Sequence, residues 1–440
     1  MFKGGFAIWI FIGAAWSSAP EPVLPLNEAV QTAIRANLRV QGAALEVDEA
    51  GDSVEALKTR RYPRLELDAA INHNLTSQSY TFPEGSLVPD SEIGPIPPDN
   101  VEIATEEGTT KIVSVSARQP LTRLYTIALE ICEGYVTTEM AVQKVRWTQQ
   151  DVAYLVKLQY FEVGRILGDL LAIDESILFL SSLSDLVRNY VDQQVALEYE
   201  LLDVRARLAQ RQLERQRLVD EMITGKERLN ALMGRDVATP FSVEQLPLPY
   251  QVVYDTNQSL LLAFDQRADF IESQLAIEKA EYSYDVKKSE YIPDVDIHFS
   301  YIKLFNVNLI PDSEAFIALD LRWEFFDWGR KRDELASRAS KIAGAEVKMG
   351  EVRNQIEIEV RDSLRKLSTA QESVGVAREL QAAYREKLRV MINRYREQTT
   401  LLTNVLETET QLDRANSDYN KAVLSVWGAL AEYEKAVGEV

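Results

Sequence analysis

Four stretches of the chain alternate apolar and polar residues, and far longer stretches with a helical period separate them. Leu65, Leu67, Ala69 and Ile71 interleave with Glu66, Asp68 and Asn72, and Val113, Val115 and Ala117 with Ser114, Ser116 and Arg118. Further on, Val295, Ile297, Phe299 and Tyr301 interleave with Asp294, Asp296, His298 and Ser300, and Ile317, Leu319, Leu321 and Trp323 with Ala318, Asp320 and Arg322. A period of two gives each strand one apolar and one wet face. The order along the chain predicts two hairpins, within 64–120 and 294–326. Each strand is about ten residues long, enough to cross a hydrocarbon layer when tilted. Aromatic residues crowd one strand end (Tyr62, Tyr291, Trp323, Phe326, Trp328) and the other (Tyr80, Phe82, Phe305, Phe316), as interfacial girdles would. Strands of a soluble sandwich would alternate in the same way, so the helical stretches have to decide.

From Leu121 to Tyr190 the chain runs without proline, and a helix of about 70 residues would reach roughly 105 Å, far more than a compact globule needs. Asp327 to Arg396 is a second run of the same length. Each is followed by a return run, Leu197 to Gly234 and Thr399 to Val437, and each half opens with a leading run, Leu26 to Arg60 and Gln258 to Tyr291. A leading and a return helix laid end to end match one long rod. The halves also align directly: residues 37–50 pair with 267–280, and Pro63 and Pro293 stand 230 positions apart. Tyr190 and Tyr395, near the ends of the long runs, differ by 205. The lost residues match the strand connections, Ser77 to Thr110 (34 residues) against Phe305 to Glu314 (10 residues). The longer connection holds seven Asp or Glu, five Pro and no Lys or Arg, the composition of a mobile, solvated loop. In the last helix Val405, Leu412, Tyr419, Val426 and Tyr433 recur every seven residues, beside Leu401, Ala415, Ala422 and Ala429, as in a coiled-coil seam with close approach.

Lys3, the apolar run Phe6 to Ala15, and small residues at Ser17 and Ala19 predict a signal peptide over 1–19. The expected organisation is then a first repeat over 20–250 (strand hairpin 64–120, helical hairpin 121–234, connector) and a second over 251–440 (strand hairpin 294–326, helical hairpin 327–438). The best candidate for a helical membrane span, Ile166 to Leu186, is interrupted by Asp169, Asp174, Glu175 and Asp185, which excludes it. Cys132 is the one cysteine, so no internal disulfide forms, and a small buried apolar role is expected. A net charge of −20 supplies no basic stripe for phosphates, which argues against a nucleic-acid partner. No phosphate-binding glycine loop or nucleophile elbow is present, and His73 and His298 lie on opposite strand faces, a poor metal pair. No enzyme and no cofactor is expected.

Two long hairpins, paired strands and a signal peptide together resemble the TolC-like outer-membrane efflux proteins over nearly the whole mature chain. Leu26 to Pro63 and Leu260 to Pro293 match the family's opening of each repeat. Trp323-Glu-Phe-Phe-Asp-Trp-Gly-Arg330 matches its strand exit, with Glu324 where the family often has Pro. In the first half Gln119-Pro120-Leu121 keeps that Pro, and the Asp-x-Gly is missing. Residues 196–208 and 395–407 match its helix tips, with Gln193 or Gln194, and Gln398, in place of the usual Gly.

The resemblance implies an α+β chain whose four membrane strands join a β-barrel completed by a homotrimer and continued by an α-helical barrel through the periplasm. It implies a passive outer-membrane exit duct of a tripartite efflux or type I secretion system, docked to a periplasmic adaptor and an inner-membrane transporter. It places periplasmic gate and selectivity positions at Glu200, Asp203, Asn404 and Glu407, with Tyr190 and Tyr395 as hydrogen-bonding or packing candidates that hold the tips. Strand parity places Leu65, Leu67, Ile297, Phe299, Ile317 and Leu319 toward outer-membrane lipid. The alternative is a periplasmic coiled-coil scaffold without a pore.

Overall fold

The computed structural model describes residues 22–76, 78–105, 108–244, 247, 254–305 and 311–439. The expected signal peptide lies outside the described residues, as do most of the connector before residue 254 and part of the second strand connection. A short strand β1 (Val23–Leu24) leads into helices α1 (Leu26–Ala36) and α2 (Leu38–Thr59). Strands β2 (Arg64–Asn74), β3 (Gln78–Phe82), β4 (Val101–Thr105) and β5 (Gly108–Pro120) follow, then α3 (Arg123–Asp192) and α4 (Glu198–Leu232). After β6 (Ser242–Val243) come α5 (Thr256–Gln266), α6 (Ala268–Ser289), β7 (Asp294–Phe305), β8 (Ser313–Arg322), α7 (Arg330–Arg396) and α8 (Leu402–Val437). Helices α1 and α5 each have 11 residues, α2 and α6 each 22, and the long helices α3 and α7 have 70 and 67.

The leading runs, expected as single helices, are each broken once. Asn37 (φ −63, ψ 133) and Arg267 (φ −71, ψ 121) are extended and separate α1 from α2 and α5 from α6. Tertiary bonds hold both breaks. Asn37 Nδ2 donates to the Leu232 carbonyl at 2.7 Å while its Oδ1 accepts from the Arg39 amide at 2.8 Å. The Arg267 guanidinium pairs with Asp269 at 2.7 Å and Glu359 at 2.5 Å. Each return helix ends against a break: a Cβ on Gly234 (φ +66) would lie 2.1 Å from the Ala36 oxygen, and one on Gly438 (φ +85) 3.0 Å from the Arg267 nitrogen. Only glycine fits such a left-handed C-cap at that approach.

The chain forms two compact units, each drawing on both halves of the sequence. The first contains the chain up to Val47, Met140–Gln274 and the chain from Val347. Its largest apolar cluster packs Val152, Val156, Tyr160 and Val163 of α3 with Leu229, Met233, Phe241 and the parallel pair β1 and β6. The Tyr160 hydroxyl donates to the Leu24 carbonyl at 2.8 Å and accepts from the Glu244 amide at 2.9 Å. Along α8, Val405, Ala415, Ala422, Val426, Ala429 and Tyr433 are buried, as the seven-residue register predicts, whereas Leu401 is exposed.

The second unit, Asp48–Glu139 and Leu275–Glu346, is built on an antiparallel sheet in the order β2-β5-β7-β8, flanked by helix ends. Its register puts Leu65, Ala117, Phe299 and Ile317 in one row, Leu67, Val115 and Tyr301 in the next, and Ile297 opposite Leu319. All six residues expected toward lipid therefore share one face, where Leu65 is 74% and Ile317 76% exposed. The other face carries the row Glu66, Ser116, Ser300 and Phe316, and Ser300 is buried there. Among the described residues β2 and β8 pair on one side only. The connection expected as an irregular loop instead forms a second hairpin: β3 pairs with β4, Tyr80 facing Ile103, and a bridge joins Val88 to Ile96. The alternation of Tyr80 and Phe82 with Ser79 and Thr81 was hidden by the acidic, proline-rich residues beyond it. Cys132 is half-buried rather than buried, in the helix that carries Ile127 and Ile131 of a small core with Val54. No helix among the described residues is long and apolar enough to cross a membrane.

Candidate functional site

The helical tips lie in the first unit and are closed by the same bonds in both hairpins. At the end of α3 the Gln194 amide donates to the Val191 carbonyl at 2.9 Å and Val195 to Tyr190 at 2.8 Å. At the end of α7 Gln398 donates to Tyr395 at 2.9 Å and Thr399 to Arg394 at 2.8 Å. This is a left-handed helix cap, and Gln194 (φ 57) and Gln398 (φ 56) occupy the position that favours glycine. Gln194, not Gln193, therefore stands at the missing glycine. The cap register equates Gln194 with Gln398, so Tyr190 corresponds to Arg394 and not to Tyr395, and the two tyrosines come from non-equivalent positions. Leu197 and Leu401 then turn the chain into α4 and α8 with extended backbone and no side-chain cap.

Non-equivalence lets the tyrosines meet. Their rings lie 5.9 Å apart at 52°, and the Tyr190 hydroxyl donates to the Arg396 carbonyl at 3.3 Å, tying one tip to the other. Beneath them Leu180, Leu183, Val187, Leu201, Val204, Leu402, Val405 and Leu406 form the tip core. The Tyr395 hydroxyl is buried without a hydrogen-bond partner. Burial first, and then the nearby Glu200 carboxylate, push its pKa up to about 12, so it stays neutral.

The expected gate acids have unequal surroundings. Glu200 is half-buried beside Tyr395. Asp203, one turn further along α4, sits 3.6 Å from the Arg207 guanidinium, which also donates to Thr410 at 3.3 Å. Asn404 is exposed and donates to Thr400 Oγ1 at 3.0 Å, and Glu407 is exposed. Charge thus remains chiefly at Glu200 and Glu407, because a cation four residues on compensates Asp203. The Asp-x-x-x-Arg spacing was the sequence signal for that pairing. Also missed was a polar layer just behind the tip core, Ser176, Arg211, Glu409 and Asp413; an acid at Glu409, next to the packed register position Thr408, was its only trace.

Residues 260–439 match the family described as outer membrane efflux protein. Solved channels share the fold over nearly the whole chain. The CmeC outer membrane channel of Campylobacter jejuni is 14% identical with a TM-score of 0.76, covering 100% of this chain and 93% of that one. VceC of Vibrio cholerae is 14% identical with a TM-score of 0.76, covering 94% and 96%. CusC is 13% identical with a TM-score of 0.77, covering 97% and 96%. None of the curated proteins compared by sequence matches. The chain thus has the fold of these solved outer-membrane channels, the fold that its strand-exit and tip motifs suggested. The family match falls on the second repeat, from α5 to the end of α8.

Proposed function

We propose that the chain is the outer-membrane exit duct of a tripartite efflux or type I secretion apparatus. The observation that carries this reading is the four-stranded sheet, with one continuous exposed apolar face and two half-paired edges, on a chain that otherwise consists of long helical hairpins. Unpaired backbone groups in hydrocarbon cost several kcal/mol each, so such a sheet is stable in a membrane only when its edges meet those of further copies. Three copies would close a twelve-stranded barrel, with the two repeats of each copy continuing as a helical tunnel into the periplasm. The chain carries no energy-coupling motif, so an inner-membrane transporter and a periplasmic adaptor would supply drive and selection.

Within that duct Glu200 and Glu407, repeated around the axis, form the charged constriction, with Asp203 muted by Arg207 and position 404 neutral. Rings of carboxylates favour cations. Planar-bilayer recording tests this: the double variant Glu200→Gln, Glu407→Gln is expected to lose cation preference and block by multivalent cations, and unchanged selectivity and block would place the constriction elsewhere. A periplasmic coiled-coil scaffold predicts instead a protein that washes off membranes in salt or alkali, whereas the duct stays with them.

A further inference from the structure

Behind the tip core, α3, α4 and α8 meet through charged side chains instead of apolar ones. Glu409 is 3% exposed, and its Oε1 accepts from Ser176 Oγ of α3 at 2.6 Å. The Asp413 carboxylate, one turn along α8, pairs with the Arg211 guanidinium of α4, which also lies 3.8 Å from Glu409 and 2.8 Å from Glu214. Ser176 Oγ also lies 3.5 Å from Asp413 Oδ2, so both carboxyl groups meet at the same hydroxyl and the same guanidinium. Other cations facing the layer are engaged. On α4, Arg215 pairs with Asp174 of α3 at 2.6 Å, and Arg207 with Asp203 and Thr410. On α3, Arg165 pairs with Glu162 and Asp169, and Asp169 also accepts from Asn420 of α8 at 3.3 Å. A cavity of about 110 Å³ lined by Asp169, Ile173, Arg211, Glu214, Asp413 and Ser417 opens the layer to water.

Three carboxyl groups thus converge on one guanidinium, and two of them, Glu409 and Asp413, share its Nη2 and the Ser176 hydroxyl. One cation cannot balance this crowded, buried set, and a proton on one carboxyl relieves the repulsion. We propose that this layer is a proton-operated latch: a proton on the Asp413 carboxyl keeps α8 packed on α3 and α4, and its loss loosens the tip end of α8. Burial first, and then the Glu409 carboxylate, raise the Asp413 pKa from 3.8 to about 7, against the opposing pull of Arg211. The sign follows from linkage. Between pH 3.8 and about 7 the packed layer binds a proton that the separated helices release, so packing is most favoured on the acid side and loses this contribution as pH rises through about 7. Leu180 and Leu406 of the tip core lie within about one turn of Ser176 and Glu409, so loosening is passed directly to the tips. That consequence for a gate rests on the duct reading, whereas the latch does not.

The test uses the full chain in detergent, comparing wild type with Asp413→Asn, which mimics the protonated carboxyl. Infrared difference spectra should show a protonated-carboxyl band that titrates near neutral pH in wild type and is missing in Asp413→Asn. After correction for intrinsic exchange rates, amide protection around 402–413 should fall severalfold from pH 6 to pH 8.5 in wild type and stay flat in the variant. A band titrating in the ordinary carboxylate range, or the same fall in both proteins, would overturn the latch. Glu409→Gln gives a second arm, since removing the neighbouring charge should move the titration toward acid; an unmoved titration would equally contradict the proposal. Neither readout depends on conduction, so failure of the latch and failure of the duct are distinguishable.

Discussion

Single residues decide two features here, strand parity and tip geometry. At strand parity the account is strict, because Asp296 and Ile297 are neighbours in β7 yet lie on opposite faces. Arg at Ile297 is expected to cost about 2–4 kcal/mol if that position lies at the bilayer midplane, and Arg at Asp296 close to nothing. Thermal stability of the two variants in lipid checks this, and the reverse order would shift the register by one residue. At the tips Gln398 holds φ 56, where a Cβ is strained by about 1–2 kcal/mol, partly offset because glycine loosens the unfolded chain. Gln398→Gly should therefore raise stability by up to about 1 kcal/mol, read as a higher unfolding midpoint. An unchanged or lower midpoint would mean that the glutamine side chain makes a compensating contact. Parity was legible in the sequence because a period of two is local. The pairing of Tyr190 with Tyr395 was legible only as two tyrosines near two tips: their contact depends on their being out of register, which hydrogen-bonding geometry fixes and spacing does not.

Among the elements, long runs were easy to read and breaks were not. The rods α3 and α7 follow from uninterrupted helical stretches without proline, and their observed ends lie within a few residues of the expected ones. The breaks at Asn37 and Arg267 left no mark in the hydrophobic period, since a partner 195 positions away stabilises the first and Asp269 and Glu359 the second. The β3 and β4 hairpin escaped for a different reason. Its strands are only five residues each, and the acidic, proline-rich segment between them dominates the composition. This hairpin pairs with itself, in a sheet separate from the four-stranded one. Removing residues 78–105 and rejoining the ends through a short turn should therefore leave an oligomer of the same size and detergent resistance by native electrophoresis. Loss of assembly would show that the hairpin takes part in contacts between copies.

The whole molecule poses a question that one chain leaves open, since its sheet is half of a pairing problem. The fold is the one that solved outer-membrane channels share, and the buried seam of α8 and the tip caps are explained within one copy. The edges β2 and β8 are not. The account requires that β2 of one copy pair with β8 of the next until the sheet closes. Disulfide trapping between these edges tests that requirement most directly: in a Cys132→Ser background, single cysteines stepped along β2 are combined with Ala318→Cys in β8, oxidised in membranes, and resolved by denaturing electrophoresis. The account predicts that one narrow set of β2 positions gives a ladder ending at the covalent trimer. Monomers at every position in assembled, membrane-embedded protein would contradict it.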